Sequence, residues 1–149
     1  MIFVNVPIKR LDDTPVVLPT YAHLDDAGAD LRASHGANIP PRQSVMVGTS
    51  WAIKIPDGYV GMVCSRSGLA GKSNVFVLNA PGIIDSGYTG ELLVILYNAG
   101  HQDFVVHAGD RIAQLVIVPF VTAVFNEVYN LSEDTSRGSS GFGSTGVSS

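Results

Sequence analysis

The chain has 149 residues, enough for one domain, and 46% of them are hydrophobic while only 15% are charged. This composition excludes a disordered chain and indicates more apolar surface than a small monomer can bury, so we expect an oligomer. The formal net charge of −4 gives no general attraction for nucleic acid or an anionic membrane, so a few local cations would have to bind any anionic substrate.

The amino-terminal stretch is apolar first and charged afterwards, at Lys9 and Arg10, which reverses the order of a secretory signal. No run of about 18 apolar residues follows that could cross a membrane. The single cysteine, Cys64, has no second cysteine with which to form a disulfide or a structural zinc site. We therefore expect a cytoplasmic protein without a membrane partner.

Short apolar blocks rich in Val, Ile, Tyr and Phe alternate with turn signals, and no block sustains a helical stripe over three turns. This pattern predicts an all-β fold, either a jelly roll or a distorted β-barrel. The predicted strand blocks are 2–6, 16–18, 44–47, 51–55, 59–64, 75–78, 91–97, 104–107, 112–120 and 121–129.

Two of these blocks, 92–97 and 115–118, are apolar at consecutive positions. Both faces of such strands should be buried. In so small a domain, we expect the second face to contact a neighbouring subunit.

Three carboxylates, Asp25, Asp26 and Asp30, fall within six residues. They can form a site for a hard cation such as Mg²⁺. They can equally form a solvated acidic turn, and the residues alone leave both interpretations open.

The apolar block 59–64 runs directly into Arg66 and Ser67, which places a guanidinium and a hydroxyl at a strand end. The alternative is a turn with Arg66 exposed to solvent. Further along, Asp85 and Tyr88 lie three residues apart between glycines. A turn here can point both side chains into a cleft, or Asp85 can serve only to form the turn. Gln114 lies inside an apolar strand, so its amide must bond either to the backbone or to a ligand.

From residue 130 onwards Ser, Gly and Thr dominate, and such a segment cannot bury enough surface to fold alone. We therefore predict a β-domain over residues 1–130 and a mobile tail over 131–149. Residues 137–146 combine glycines, hydroxyls and the Arg137 guanidinium, a set that suits phosphate, and Phe142 can stack on a planar ligand. The alternative is a flexible terminus that binds nothing.

Together these groups suit a nucleoside triphosphate. In sequence order they resemble the five motifs of the trimeric dUTPase (deoxyuridine triphosphate nucleotidohydrolase) family, and the run Asn79 to Gly82 resembles the form seen in actinobacterial members. The chain departs from the family at Ser65, where many members carry Pro, and at Gly87, where many carry a second acid. The five matching segments are 27–31, 66–70, 82–90, 109–114 and 137–146.

The resemblance implies a jelly-roll homotrimer with three active sites, each built from three subunits. The first, second and fourth motifs come from one subunit, the third motif from another, and the tail of the last closes over the site as a lid. The implied reaction is hydrolysis of dUTP to dUMP and pyrophosphate, which keeps uracil out of DNA and supplies dUMP for dTMP synthesis.

By the same resemblance, Asp85 activates the water that attacks the α-phosphorus, while Mg²⁺ is bound mainly by the triphosphate and through water by Asp30. Asn79 helps to read uracil, Tyr88 packs under the deoxyribose so that a 2′-hydroxyl clashes, and Phe142 stacks on the base. The residues implied to bind the rest of the substrate, chiefly its phosphates, are Arg66, Ser67, Gly68, Gln114, Arg137, Gly143, Ser144 and Thr145.

Two other functions stay open at this point. A dCTP deaminase shares the fold but has a motif of the Arg-Ser-Ser type, whereas here Gly68 follows Ser67. In a non-enzymatic role, nucleotide occupancy of the site would switch binding to a protein partner, although no sequence feature indicates such a surface.

Overall fold

The computed structural model describes residues 3–131, 138–139 and 141. This part of the chain forms antiparallel strands and one short helix, and no helix in it is long and apolar enough to cross a membrane. In chain order the elements are β1 (Ile8–Arg10), β2 (Gly28–Arg32), β3 (Ala37–Ile39), β4 (Ser44–Ile53), β5 (Tyr59–Cys64), α1 (Ser67–Ser73), β6 (Val75–Val77), β7 (Gly82–Ile84), β8 (Glu91–Asn98), β9 (Phe104–Val106) and β10 (Arg111–Pro119).

The strands form two four-stranded sheets, ordered β1-β4-β8-β6 and β2-β10-β5-β7, while β3 pairs only with β9. Both sheets contribute to one apolar core, to which β8 adds Leu92 and Val94 and the second sheet adds Leu31, Val63 and Leu115. Two antiparallel sheets around a single core are the architecture of a jelly roll. The prediction of an all-β jelly-roll domain is thereby confirmed.

Strand β8 shows how much of its apolar surface one protomer can cover. Its alternate residues Leu92, Val94 and Leu96 are fully buried, whereas Leu93 between them is 41% exposed. One protomer therefore buries only one face of β8, because no second layer packs on the outer face. That outer face is the one assigned above to a neighbouring subunit.

Three predicted strand blocks are wrong. The described residues 3–6 of the first block, the block 16–18 and the block 121–129 form no strand. In the block 16–18, side chains bond to backbone carbonyl oxygens that a neighbouring strand would otherwise bind. The Arg10 Nη2 donates to the Val16 carbonyl oxygen at 2.9 Å, and the Trp51 Nε1 donates to the Val17 carbonyl oxygen at 3.1 Å. The segment 121–129 is exposed and has no strand beside it in the protomer.

Two chemically important elements were not predicted from the hydrophobic pattern. The acidic stretch interpreted as a cation site or a turn runs into β2, which includes Asp30, and the segment after β5 begins a helix, α1, instead of a plain turn. Strand β2 forms because β10 pairs along it, with Gln114 opposite Asp30. A partner more than 80 residues away leaves no local sequence signal.

Candidate active site

Adjacent strands of one sheet bring the first group of candidate residues together. On β10, Gln114 lies directly opposite Asp30 of β2 on one side and Cys64 of β5 on the other. Opposed residues of antiparallel strands point to the same face. Arg66 follows two positions after Cys64, so it emerges at the same end of the sheet.

The Asp30 carboxylate is the centre of this group. The residue is 6% exposed, its Oδ1 accepts the Arg66 Nε–H at 3.0 Å, and its Oδ2 lies 3.6 Å from the Arg111 Nη1. The Arg66 Nη1 also donates to the Arg111 carbonyl oxygen at 3.1 Å. Two guanidinium groups against one carboxylate leave a local excess of positive charge, which suits an anionic ligand.

Arg111 belongs to this group although it was not among the predicted site residues. It lies within the matching segment 109–114. The signal that could have found it is its position three residues before Gln114, at the beginning of the same strand.

Gln114 has the features of a ligand-binding amide. Its side chain packs against Gly28, where an added Cβ would lie 3.2 Å from the Gln114 Cδ. Within the described part of the chain its amide makes no hydrogen bond. The alternative that Gln114 bonds to the backbone therefore finds no support in these residues.

Ser67 and Gly68 are the first residues of α1, directly after Arg66, which caps the helix in an extended conformation. Both are exposed, and a Cβ on Gly68 would meet no atom within 4 Å. The surface above them is therefore open to a ligand, and a cavity of about 280 Å³ beside Arg66 and Arg111 adjoins it.

The turn with Asn79 follows β6. Asn79 is exposed, and its Nδ2 would lie 3.2 Å from a Cβ on Gly82. Gly82 is buried and pairs with Val63 of β5. The absence of a side chain at Gly82 thus lets the Asn79 amide lie close to the backbone.

Asp85 and Tyr88 form a second group on the turn after β7. The Tyr88 N–H donates to the Asp85 carbonyl oxygen at 3.0 Å, and the Tyr88 hydroxyl donates to the Glu91 carbonyl oxygen at 2.7 Å. A Cβ on Gly90 would lie 2.6 Å from that hydroxyl oxygen, so only glycine leaves room for the ring. The Tyr88 ring is thus fixed, while the Asp85 carboxylate is exposed and makes no hydrogen bond within the described residues.

The two groups lie at opposite ends of β5. Ile84 pairs with Gly61, so Asp85 falls opposite Val60, six residues before Arg66. At about 3.3 Å per residue, Asp85 and Arg66 of one protomer are on the order of 20 Å apart. One protomer therefore carries two half-sites, a cationic one around Asp30 and a second one around Asp85.

The described residues do not build a metal cage, since no group of three His, Cys, Asp or Glu side chains occurs among them. Asp30 can nevertheless accept hydrogen bonds from metal-bound waters. An ionised carboxylate has about four acceptor positions, and the two arginines occupy only part of them. The chain thus fits Mg²⁺ held mainly by a ligand and secondarily, through water, by Asp30.

Other candidates lie outside this arrangement. Asp26 accepts the His23 N–H at 2.8 Å and so forms a loop turn. This loop lines a cavity of about 1030 Å³ together with apolar residues near the amino terminus. The predicted tail residues fall outside the described part of the chain. They are Arg137, Phe142, Gly143, Ser144 and Thr145.

Comparisons with known proteins agree on one family. The family model of dUTPase matches residues 14–146. A deoxyuridine 5'-triphosphate nucleotidohydrolase of Cutibacterium acnes is 50% identical over 135 residues, covering 90% of this chain and 88% of the relative. That of Rhodococcus erythropolis is 46% identical over 144 residues, covering 95% and 86%. These actinobacterial relatives confirm the resemblance drawn from the motifs.

Solved structures have the same fold. A mutant dUTPase of Staphylococcus bacteriophage 80alpha with dUpNHpp superposes with a TM-score of 0.89 at 29% identity, covering 96% of this chain and 99% of that one. A mutant dUTPase from phage phi11 of S. aureus, described with a structural Mg(II) ion, gives 0.79 at 26% identity, covering 86% and 99%.

Proposed function

The chain belongs to the dUTPase family and hydrolyses dUTP to dUMP, and we propose that Asp85 activates the attacking water in this reaction. The observation that carries the assignment is the exposed Asp85 carboxylate on a turn held by two hydrogen bonds of Tyr88. The Tyr88 N–H donates to the Asp85 carbonyl oxygen, and the Tyr88 hydroxyl donates to the Glu91 carbonyl oxygen. A general base must reach the water and keep a free acceptor oxygen. Asp85 has such an oxygen, since no donor in the described residues bonds to it.

The cationic half-site binds the triphosphate in this proposal. Arg66 and Arg111 supply positive charge, and Asp30 holds the Arg66 guanidinium by its Nε, which leaves the Nη2 edge of the fork for phosphate oxygens. Gln114 and Ser67 add neutral donors beside it. Negative charge moves to the leaving pyrophosphate during the reaction, so fixed donors here stabilise the transition state.

Bound Mg²⁺ would neutralise charge on the phosphates during the displacement. Asp30 is the residue of this chain that would accept hydrogen bonds from the metal-bound waters. Its two arginine contacts restrict the carboxylate to this outer role.

The active unit is a homotrimer in this proposal. The separation of the two half-sites supports it, because Asp85 of one subunit must then meet Arg66 of another. Apolar surface left uncovered by the protomer supports it as well. Between residues 120 and 131 the exposed large apolar side chains are Phe120, Val121, Val124, Phe125, Val128, Tyr129 and Leu131.

Substrate selection is assigned to Asn79, on the turn after β6, and to Tyr88, beside Asp85. Asn79 would read uracil, and the fixed Tyr88 ring would exclude a 2′-hydroxyl. The tail residues 137–146 would close over the nucleotide and exclude water. A cytoplasmic location, without nucleic acid as a partner, is supported by the unpaired Cys64 thiol and by the net charge of −4.

Asp85→Asn tests the assignment of the base. We expect the trimer and nucleotide binding to persist while pyrophosphate release from dUTP falls by about 10² to 10⁴. Parallel reactions with dCTP, dTTP and UTP establish the selectivity, and ammonia from dCTP would indicate the deaminase instead. An Asp85→Asn enzyme with unchanged turnover would show that another group activates the water.

A further inference from the structure

The Ser65 hydroxyl connects two parts of the site that lie apart in sequence. Its Oγ accepts the Val77 N–H at 2.9 Å. Ser65 directly precedes Arg66, and Val77 ends β6, two residues before Asn79. The contact therefore ties the loop before α1 to the start of the turn that carries Asn79.

Val77 needs this acceptor because of its place in the sheet. β6 is the end strand of its sheet, and only alternate residues of its chain form hydrogen bonds to the neighbouring strand β8. Leu78, directly after β6, is one of these residues, because its N–H donates to the Ile95 carbonyl oxygen at 2.8 Å. Val77, opposite Leu96, therefore turns its N–H and its carbonyl away from β8. With Val77 only 2% exposed, its N–H would be buried and unpaired without Ser65.

The same residue forms the turn on its other side. The Val77 carbonyl oxygen accepts the Ala80 N–H at 3.2 Å, which closes the four-residue turn around Asn79. The chain then returns through Gly82, which pairs with Val63, two residues before Ser65. Both ends of the Asn79 turn are thus attached to the end of β5 that Ser65 extends.

We propose that Ser65 is a positioning residue that fixes the Asn79 turn and thereby increases the selectivity for uracil over cytosine. The inference rests on the proposed role of Asn79 in reading the base. Proline, which many family members carry at this position, has no side-chain acceptor, so this contact is a feature of the present chain. Ser65 acts only through Val77 and the turn.

The test compares Ser65→Ala with Ser65→Thr, which keeps a hydroxyl, and with Asn79→Ala. The measured quantity is the ratio of kcat/KM for dUTP to kcat/KM for dCTP in pyrophosphate release. Ser65→Ala should lower this ratio roughly fivefold to tenfold by raising the KM for dUTP, with kcat within about twofold, because the unpaired N–H lets the turn shift. Ser65→Thr should keep the wild-type ratio.

Ser34→Ala is the matched control. The Ser34 hydroxyl is buried and, like that of Ser65, bonds to backbone, donating to the Gly48 carbonyl oxygen at 3.0 Å, but it does not contact the Asn79 turn. Ser34→Ala should lower Tm and leave the ratio unchanged. A purely structural Ser65 would behave in the same way.

The outcomes separate this proposal from the proposed function. If Asn79→Ala lowers the ratio and Ser65→Ala does not, the role of Ser65 is refuted while that of Asn79 stands. If neither changes it, Asn79 does not read the base and the role of Ser65 falls with it. Should Ser65→Ala not fold, amide exchange of Val77 in the wild-type trimer decides, since fast exchange contradicts the contact and slow exchange supports it.

Discussion

Mixed trimers provide the sharpest test of how the two half-sites combine. Arg66→Gln damages the cationic half-site while keeping an amide donor for Asp30, and Asp85→Asn damages the other half-site. Each variant alone should be nearly inactive. Because Arg66 and Asp85 of one protomer are on the order of 20 Å apart along β5, we expect each active site to take them from different subunits.

The expected gain follows from counting. In trimers assembled at random from equal amounts of the two variants, a site is intact when one subunit supplies Asp85 and its neighbour supplies Arg66. The chance is about one half for each subunit, so about one quarter of the sites should regain wild-type turnover. Pyrophosphate release from dUTP after joint refolding or co-expression measures this fraction.

A matched pair of variants controls for nonspecific rescue. Arg66→Gln mixed with Asp30→Asn damages the same half-site in every subunit, because the two side chains contact each other at 3.0 Å. This mixture should show no gain over the separate variants. If the first mixture is equally inactive, Arg66 and Asp85 act within one protomer and the reasoning from the register of β5 is refuted.

Two further predictions concern residues around the site and the amino-terminal loop. Gly90→Ala places a Cβ 2.6 Å from the Tyr88 hydroxyl oxygen, so the ring must shift. The ratio of kcat/KM for dUTP to kcat/KM for UTP should therefore fall by about tenfold. Gly87→Ala is the control, because Gly87 has open space around it, and it should leave this ratio unchanged. At Asp12, hydrogen bonds from the Thr14 side chain first, then from the Thr14 backbone and the Ser50 hydroxyl, hold the pKa below its usual value. A depressed pKa in the folded state means stability that is present above about pH 3.9 and is lost as pH falls through the folded-state pKa. The Tm of the wild type should therefore exceed that of Asp12→Asn most near pH 7, and the two Tm values should converge in acid. A difference in Tm that does not change with pH would contradict this role of Asp12.

The sequence predicted the fold class and several of the residues that the structure brings together. Turn signals and apolar blocks predicted the all-β fold. Asp30 was singled out as one of three clustered carboxylates, Arg66 as a guanidinium at a strand end, and Gln114 as an amide inside an apolar strand. The ion pair between the Asp30 carboxylate and Arg66 was not predictable from the sequence, because β2 forms only by pairing with β10 and the two residues are 36 positions apart. Hydrophobic periodicity describes one segment at a time and contains no information on such partners.

The errors at the chain ends have a related cause. The block 121–129 has the β-branched and aromatic composition of a strand, yet Val121, Phe125 and Tyr129 are all more than 90% exposed in the protomer. Strand propensity measures how well a side chain fits a half-buried pleated surface. The composition of this segment is therefore informative about an assembly, in which another subunit can supply the surface that one chain lacks.

Strand β5 connects the two half-sites. It pairs with β10 on one side, next to the cationic half-site, and with β7 on the other, next to Asp85, so its length sets the separation of the two half-sites. At its middle, Gly61 is in close contact with both neighbours, since an added Cβ would lie 3.2 Å from the Ile84 Cβ and 3.3 Å from the Leu115 Cδ1. In a closed trimer every site repeats the same pair of half-sites, so this one separation must match all three subunit contacts at once. The close packing at the β5 centre thus helps to fix the separation of half-sites that the proposed active site requires.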